Sequence, residues 1–223
     1  ICTRSCGFCN VKTGRPLEVD LKEPERVGNT VNLMKLKHCV LTSVDRDDLE
    51  DLGMDIWIKT VKEIKKIRPQ TTIETLIPDF DGIEELVIPV CKAGQEVVSH
   101  NLETVRRITP WARSRAKYDL SLKTLSIIAK TGVVVKSGIM VGLGETRDEV
   151  IETMHDMRNS GVEVVTIGQY LQPTKKHLMV KEYITPELFA DYKEEGLKMG
   201  FRFVESSPLV RSSYRAEKHV RGL

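Results

Sequence analysis

The run Val133-Val134-Val135-Lys136-Ser137-Gly138-Ile139-Met140-Val141 leads through Gly142-Leu143-Gly144-Glu145 into Thr146-Arg147-Asp148-Glu149. Apolar and β-branched residues over such a stretch predict a buried strand. The Thr146 to Glu149 spacing is a capping box, in which side chains and backbone satisfy each other's orphan groups at a helix start. Val150, Met154 and Met157 then recur on one helical face, and Gly161 ends the helix. Val162-Glu163-Val164-Val165-Thr166-Ile167-Gly168 reads as the next strand. Strand, helix and strand in that order form the repeating unit of an α/β fold.

The same alternation extends both ways. Upstream, Pro24 opens a helix through Val27, Val31 and Met34, and residues 37–44 read as a buried strand ending in the acidic loop Asp45-Arg46-Asp47-Asp48. Asp55 is expected to cap a helix bearing Trp57, Val61 and Ile64, which Pro69 stops. Residues 71–77 form a β-branched strand closed by Pro78-Asp79-Phe80, and a helix over 83–91 is expected to kink or split at Pro89. A short strand over 97–101 and a helix marked by Tyr118, Leu122, Leu125 and Ile128 follow. Downstream, Thr185-Pro186 starts a helix that Gly200 stops, and residues 201–204 give a last strand. Five or six such repeats fall short of a closed eight-fold barrel, which takes ~250 residues. The expectation is an α/β fold: a partial, about six-fold, parallel βα barrel with right-handed crossovers. Residues 1–204 are read as its core and 205–223 as a C-terminal tail. Sites in such sheets lie at the C-terminal strand ends. There the acidic loop, His100-Asn101-Leu102-Glu103 and Gly142-Leu143-Gly144-Glu145 should converge.

Composition narrows the partners. A net charge of +2 demands no nucleic acid, and no run of 18 apolar residues marks a membrane span. The five cysteines, three of them close together, suit a reducing, cytoplasmic compartment better than a disulfide framework.

Those three stand in Ile1-Cys2-Thr3-Arg4-Ser5-Cys6-Gly7-Phe8-Cys9-Asn10, at CxxxCxxC spacing. Thiolates are soft ligands that suit iron–sulfur clusters or zinc. A [4Fe–4S] cube normally takes four protein ligands, so three leave one iron open to a small molecule. Gly7 lets the loop curl and Phe8 can cover a cluster face. The competing reading is a zinc knot, with His38 or Cys39 as a fourth ligand brought in by the fold. His38, His155, His177 and His219 read as structural or solvated, and Cys39 and Cys91 as small buried hydrophobes.

Asn101 and Glu103, two apart at a strand end, can point the same way toward ribose hydroxyls; alternatively Asn101 simply caps the next turn. Gly138, Gly142 and Gly144 would let backbone approach a flat ring or an aliphatic chain, or merely make a tight turn. Lys136, a charge inside an apolar strand, should reach a carboxylate, either a ligand's or that of Glu103. Arg113 is a second carboxylate partner or a solvated helix charge. Asp45, Arg46, Asp47 and Asp48 form either a polar ring around an amino group or an ion-pair network within their loop.

The open-iron triad in a partial barrel resembles the radical S-adenosylmethionine (SAM) superfamily. Further stretches are similar to the lipoyl synthase family within it. They are Thr42-Ser43-Val44-Asp45-Arg46-Asp47-Asp48-Leu49, Glu74-Thr75-Leu76-Ile77-Pro78-Asp79-Phe80 and His100-Asn101-Leu102-Glu103-Thr104. Residues 136–146, Gly168-Gln169-Tyr170-Leu171-Gln172-Pro173 and Pro208-Leu209-Val210-Arg211-Ser212-Ser213-Tyr214 complete the set. The resemblance implies a [4Fe–4S] cluster on Cys2, Cys6 and Cys9, and SAM contacts from Asn101, Glu103, Arg113, Lys136 and Gly142. It also implies a second, auxiliary [4Fe–4S] cluster that supplies sulfur, with Ser212, or else Ser213, as one ligand.

The implied activity is sulfur insertion at C6 and C8 of an octanoyl chain on a lysine of a lipoyl carrier domain, with the chain held in an apolar lumen. The carrier would be a dehydrogenase-complex acyltransferase subunit or the glycine-cleavage H protein, and the reductant a ferredoxin or flavodoxin. The family's CxxxxCxxxxxC motif precedes the cysteine loop, whereas only Ile1 precedes Cys2, so the chain reads as a piece lacking the other auxiliary ligands. Asp51-Leu52-Gly53-Met54 stands where the family pattern has Asp-Gly-Gly-Ala. The alternatives are a biotin-synthase-like sulfur-inserting enzyme and a non-catalytic zinc module.

Overall fold

A computed structural model describes residues 1–220 of the 223. Helix α1 (Glu23–Leu33) leads into β1 (His38–Thr42), and α2 (Met54–Ile67) crosses to β2 (Thr72–Leu76). Helix α3 (Glu84–Cys91) precedes β3 (Val97–Ser99), and the single turn α4 (Thr109–Ala112) and α5 (Tyr118–Ala129) precede β4 (Val134–Val141). Helix α6 (Arg147–Asn159), β5 (Val164–Gln169), α7 (Pro186–Lys198) and β6 (Phe203–Ser206) complete the repeat. The six strands lie side by side in chain order and all pairs are parallel. Among the described residues β1 and β6 stay the two edges, so this is the partial, six-fold barrel expected of the sequence.

Strand alternation sorts the side chains. Val98, Val135, Ile139, Val165 and Ile167 face outward into a core shared with helix residues such as Leu125, Met154 and Phe189. Inward residues make three tiers. The floor is apolar, with Val97, Val134, Val164 and Phe203 packed on Val220 of the tail. Above it Glu74, Ser99 and Lys136 form a polar tier. At the mouth Gly138, Met140, Thr166 and Gly168 line a cavity.

The tail is therefore part of the barrel. The Gln169 amide donates to Pro208 O at 3.3 Å, Lys136 donates to Ser212 O, and the 3-10 turn Ala216–His219 then lies beside β1. A boundary at 204 falls inside β6, which runs to Ser206, and positions 221–223 of the tail lie outside the described residues. The expected apolar lumen is corrected too: its apolar floor is filled by the chain itself and its middle is crossed by charge.

Other departures are local. Helix α3 passes Pro89 unbroken because Pro89 and Glu85, whose carbonyl loses its partner, both lie on the exposed side. At α2 the capping carboxylate is Asp51, which accepts from the Gly53 and Asp55 amides at 3.0 and 2.9 Å; Asp55 does not cap.

Candidate functional site

Three loops at the C-terminal ends of the strands hold the cysteine loop. After β1, Asp45 O accepts from the Thr3 amide at 3.2 Å. After α4, Ala112 O accepts from the Gly7 amide at 2.8 Å and Ser114 Oγ from the Ser5 amide at 2.9 Å. After β5, the Leu178 amide donates to Gly7 O at 2.9 Å and His177 Nε2 to Cys9 O at 3.0 Å. A Cβ on Gly7 would come within 2.9 Å of Leu178 Cγ, so close approach is the reason for glycine there. His177, read from sequence as structural or solvated, is one of these clamps.

Arg4, inside the triad, is the residue that sequence reading passed over. Its guanidinium grips Asp79 at 2.7 and 2.8 Å and Asp47 at 2.7 Å from Nη2 and 2.9 Å from Nε, with all three side chains buried. Burial alone would push the Asp79 carboxyl up, but Arg4 outweighs it and holds the group at about 2. The acidic loop thus resolves largely into ion pairs: Asp47 binds Arg4 and Thr3, and Asp48 binds Arg46 at 2.8 Å. Asp45 lies 3.5 Å from Arg4 Nε and also lines the cavity, where burial outweighs that cation and pushes its carboxyl up. Just beyond, Leu52 and Gly53 both take left-handed φ values of 51° and 89°, at the two positions where the family pattern carries glycines.

Cys2, Cys6 and Cys9 are free thiols lining one cavity of about 450 Å3. Cys2 Sγ accepts the Arg4 and Asp45 amides at 3.4 Å each, and burial pushes the Cys6 thiol up. Backbone N–H groups aimed at sulfur suit a thiolate ligand, and metal binding would remove the Cys6 proton. Among the described residues no group of three or more His, Cys, Asp or Glu is placed to hold a single metal ion. A cluster would take one cysteine per iron. The zinc alternative lacks its fourth ligand: neither His38 nor Cys39, at the start of β1, lines the cavity of the three cysteines, and Cys39 packs among Val31, Val61, Ile64 and Ile73.

A second cavity of about 290 Å3 abuts the first. Phe8, Leu76, Asn101 and Glu103 line both and form the partition. Glu103 has φ 69° and its backbone bridges β4, taking Gly138 O at 3.0 Å and giving its own carbonyl to Met140 at 2.9 Å. Burial pushes its carboxyl up, against the charge of Arg113 and a hydrogen bond from Asn101. The cap reading of Asn101 fails, since no helix starts there. Arg113 is buried on the cavity wall, where Nη1 donates to the carbonyls of Asn101 and Leu102 and to Ser121 Oγ at 2.8 Å. Ser121 in turn meets His100 Nε2 at 3.0 Å, and His100 Nδ1 donates to Ile77 O. Burial, reinforced by Arg113, lowers His100 to about 4 and keeps it neutral.

Two expectations for this wall are corrected. Lys136 does not reach Glu103; its ammonium lies one tier deeper, 2.9 Å from Glu74 and bonded to Ser212 O, and lines neither cavity. Gly142 also lies off both cavities: its φ is 103°, and a Cβ would strike Gln169 and Glu182 O, so packing and backbone angle require it. Of Gly138, Gly142 and Gly144, Gly138 is the one that lines a cavity, pressed against Thr166 and Asn101. In the tail, Ser212 lines the second cavity whereas Ser213 is exposed.

Comparison with known proteins identifies the family and the fold. The radical SAM superfamily profile matches residues 1–157. The lipoyl synthase of Flavobacterium johnsoniae is 61% identical over 221 residues, covering 99% of this chain and 77% of the relative. That of Treponema denticola is 58% identical over 220 residues, covering 99% and 76%. Among solved structures, methylornithine synthase superposes with a TM-score of 0.63 at 16% identity, over 95% of this chain and 70% of that one. A maturase of the [FeFe]-hydrogenase gives 0.66 at 14%, over 92% and 54%. At such identities these two speak for the fold alone.

Proposed function

The chain belongs to the radical SAM superfamily and, within it, to the lipoyl synthases, and on that premise we propose how its residues divide the work. The enzyme is a sulfurtransferase whose substrate is a protein-bound octanoyl chain and whose cofactors are SAM and [4Fe–4S] clusters. When bound, those cofactors would supply two 5′-deoxyadenosyl radicals, one from each of two SAM molecules, for the hydrogens removed at C6 and C8, and the sulfur that replaces them. The observation that carries the assignment of roles is the pair of abutting cavities, one holding the three cysteines and the other Ser212.

Cys2, Cys6 and Cys9 hold the first cluster. Asn101 and Glu103, on the partition, accept the ribose hydroxyls of SAM. Arg113 keeps the Asn101–Leu102 carbonyls in place and offers its remaining positive charge to the SAM carboxylate. Asp45 faces the SAM amino group. Ser212 is a ligand of the second cluster, and Phe8 shields the boundary between the two. Ferredoxin or flavodoxin serves as reductant. The acyl carrier is a dehydrogenase-complex acyltransferase domain or the glycine-cleavage H protein, in a reducing cytoplasm where the five free cysteines stay reduced. Among the described residues no helix is long and apolar enough to cross a membrane.

The test is anaerobic reconstitution of the full-length enzyme with iron and sulfide, followed by assay on an octanoylated carrier. Cys6→Ala should abolish SAM cleavage. Glu103→Gln should weaken SAM binding about tenfold, as expected for one charge-assisted hydrogen bond. Ser212→Ala should cleave SAM yet form little lipoyl product; unchanged lipoyl yield would remove Ser212 from the ligand set.

A further inference from the structure

Lys136 and Glu74 face each other across the lumen, both side chains at most 1% exposed, 2.9 Å apart. Glu74 is fixed on its other oxygen by Ser99 Oγ at 2.6 Å. A buried ion pair is weak support for stability, because well-packed apolar residues often replace it at no loss. What distinguishes this pair is its third member: Lys136 also donates to the main-chain oxygen of Ser212 at 2.5 Å. The strand backbones cannot do this, since the amides around Lys136 are spent on the ladders to β3 and β5. The tail meanwhile needs an anchor at this point. Its upstream part is held by Gln169 at Pro208 O, and its downstream part by packing of Val220 on the floor. Between them Ser212 must sit against the wall of the second cavity.

We propose that Lys136 is the positioning residue for Ser212. Its ammonium, oriented by Glu74 and Ser99, holds the Ser212 carbonyl so that the serine stays on the wall of the second cavity, ready to ligate the auxiliary cluster. This rests on the reading of Ser212 as a ligand. The role differs from SAM binding, for which sequence reading had selected this lysine.

Three variants of the full-length enzyme separate the possibilities: Ser212→Ala, Glu74→Gln, and the double variant Lys136→Met with Glu74→Gln. The double variant leaves no unpaired buried charge, so the barrel should keep its fold. Hydrogen exchange without clusters reads the anchor directly. The Tyr214 and Ala216 amides, bonded to Arg211 O and Ser213 O, should exchange at least tenfold faster in the double variant. In Ser212→Ala, which keeps the Ser212 carbonyl and the Lys136–Glu74 pair, they should stay within about twofold of the parent, with Glu74→Gln, which loses the orienting carboxylate, between the two.

After reconstitution, the Mössbauer signature of the oxygen-ligated iron should change in the double variant as it does in Ser212→Ala. Lipoyl formed per SAM cleaved should fall at least tenfold. Parental exchange and a parental cluster spectrum in the double variant would overturn the proposal while leaving the ligand role intact. A parental spectrum in Ser212→Ala would overturn the ligand role itself and the proposal with it.

Discussion

At Arg4 one guanidinium satisfies two buried carboxylates, Asp47 and Asp79, from loops after two different strands. Arg4→Met should leave Asp79 without its ion-pair partner and Asp47 with only Arg115 at 3.7 Å, and destabilise the fold by about 3–5 kcal/mol, read from urea unfolding. Arg4→Lys should recover only part of this, because an ammonium cannot grip two carboxylates in the fork geometry. A loss below 1 kcal/mol in Arg4→Met would contradict the network. Sequence reading saw the acidic loop but not its cation, since a single arginine among cysteines carries no pattern. The partner of Lys136 was equally hidden: Glu74 is 62 residues away, and only the register of β2, β3 and β4 brings the two together. Asn101 and Glu103 do line the same two cavities, but through the left-handed turn at Glu103 and its bridge to β4 beyond the end of β3, not through strand alternation.

Among the elements, β5 depends on a residue with no side chain. A Cβ on Gly168 would run into Val210 O of the tail, although the backbone angle there favours no particular residue. Gly168→Ala should therefore push the tail off the wall, cost about 1–3 kcal/mol by overpacking, and lower the thermal midpoint by several degrees. Lipoyl formation should fall more than SAM cleavage; an equal fall would mean a general loss of folded enzyme. The elements themselves were readable wherever periodicity and capping agreed, as in β4, α6 and β5, where Thr146 and Glu149 form the expected capping box. Reading failed where a local rule met solvent or a neighbour: Pro89 lies on an outer face, and Asp51 reaches the α2 amides before Asp55 can.

For the whole molecule, acid should act in two stages. His100 titrates at about 4 in the fold against an ordinary 6.5, so the unfolded chain binds the proton first. The stability this lends is complete above 6.5 and declines by about 3 kcal/mol as pH falls toward 4. Asp79 has the opposite chemistry but the same sense: held at about 2 against 3.8, its contribution is present above 3.8 and disappears as pH falls through 2. The His100 share is read as the difference in urea stability between the parent and His100→Gln, which should fall from pH 7 to 5; an unchanged difference would contradict a buried neutral imidazole. The parent midpoint alone also carries His219, lowered to about 3, and the Asp45 and Glu103 carboxyls, which are pushed up. At this scale the sequence told the fold class well, but not that the tail would occupy the lumen. Alternating strands say which residues face inward, not what fills the space between them. The partition of Phe8, Leu76, Asn101 and Glu103 has a thermodynamic consequence of its own. A wall common to two compartments makes their occupants partners in linkage. Whatever factor an occupant of one chamber imposes on affinity in the other, by shifting Asn101 or Glu103, is returned to it in full.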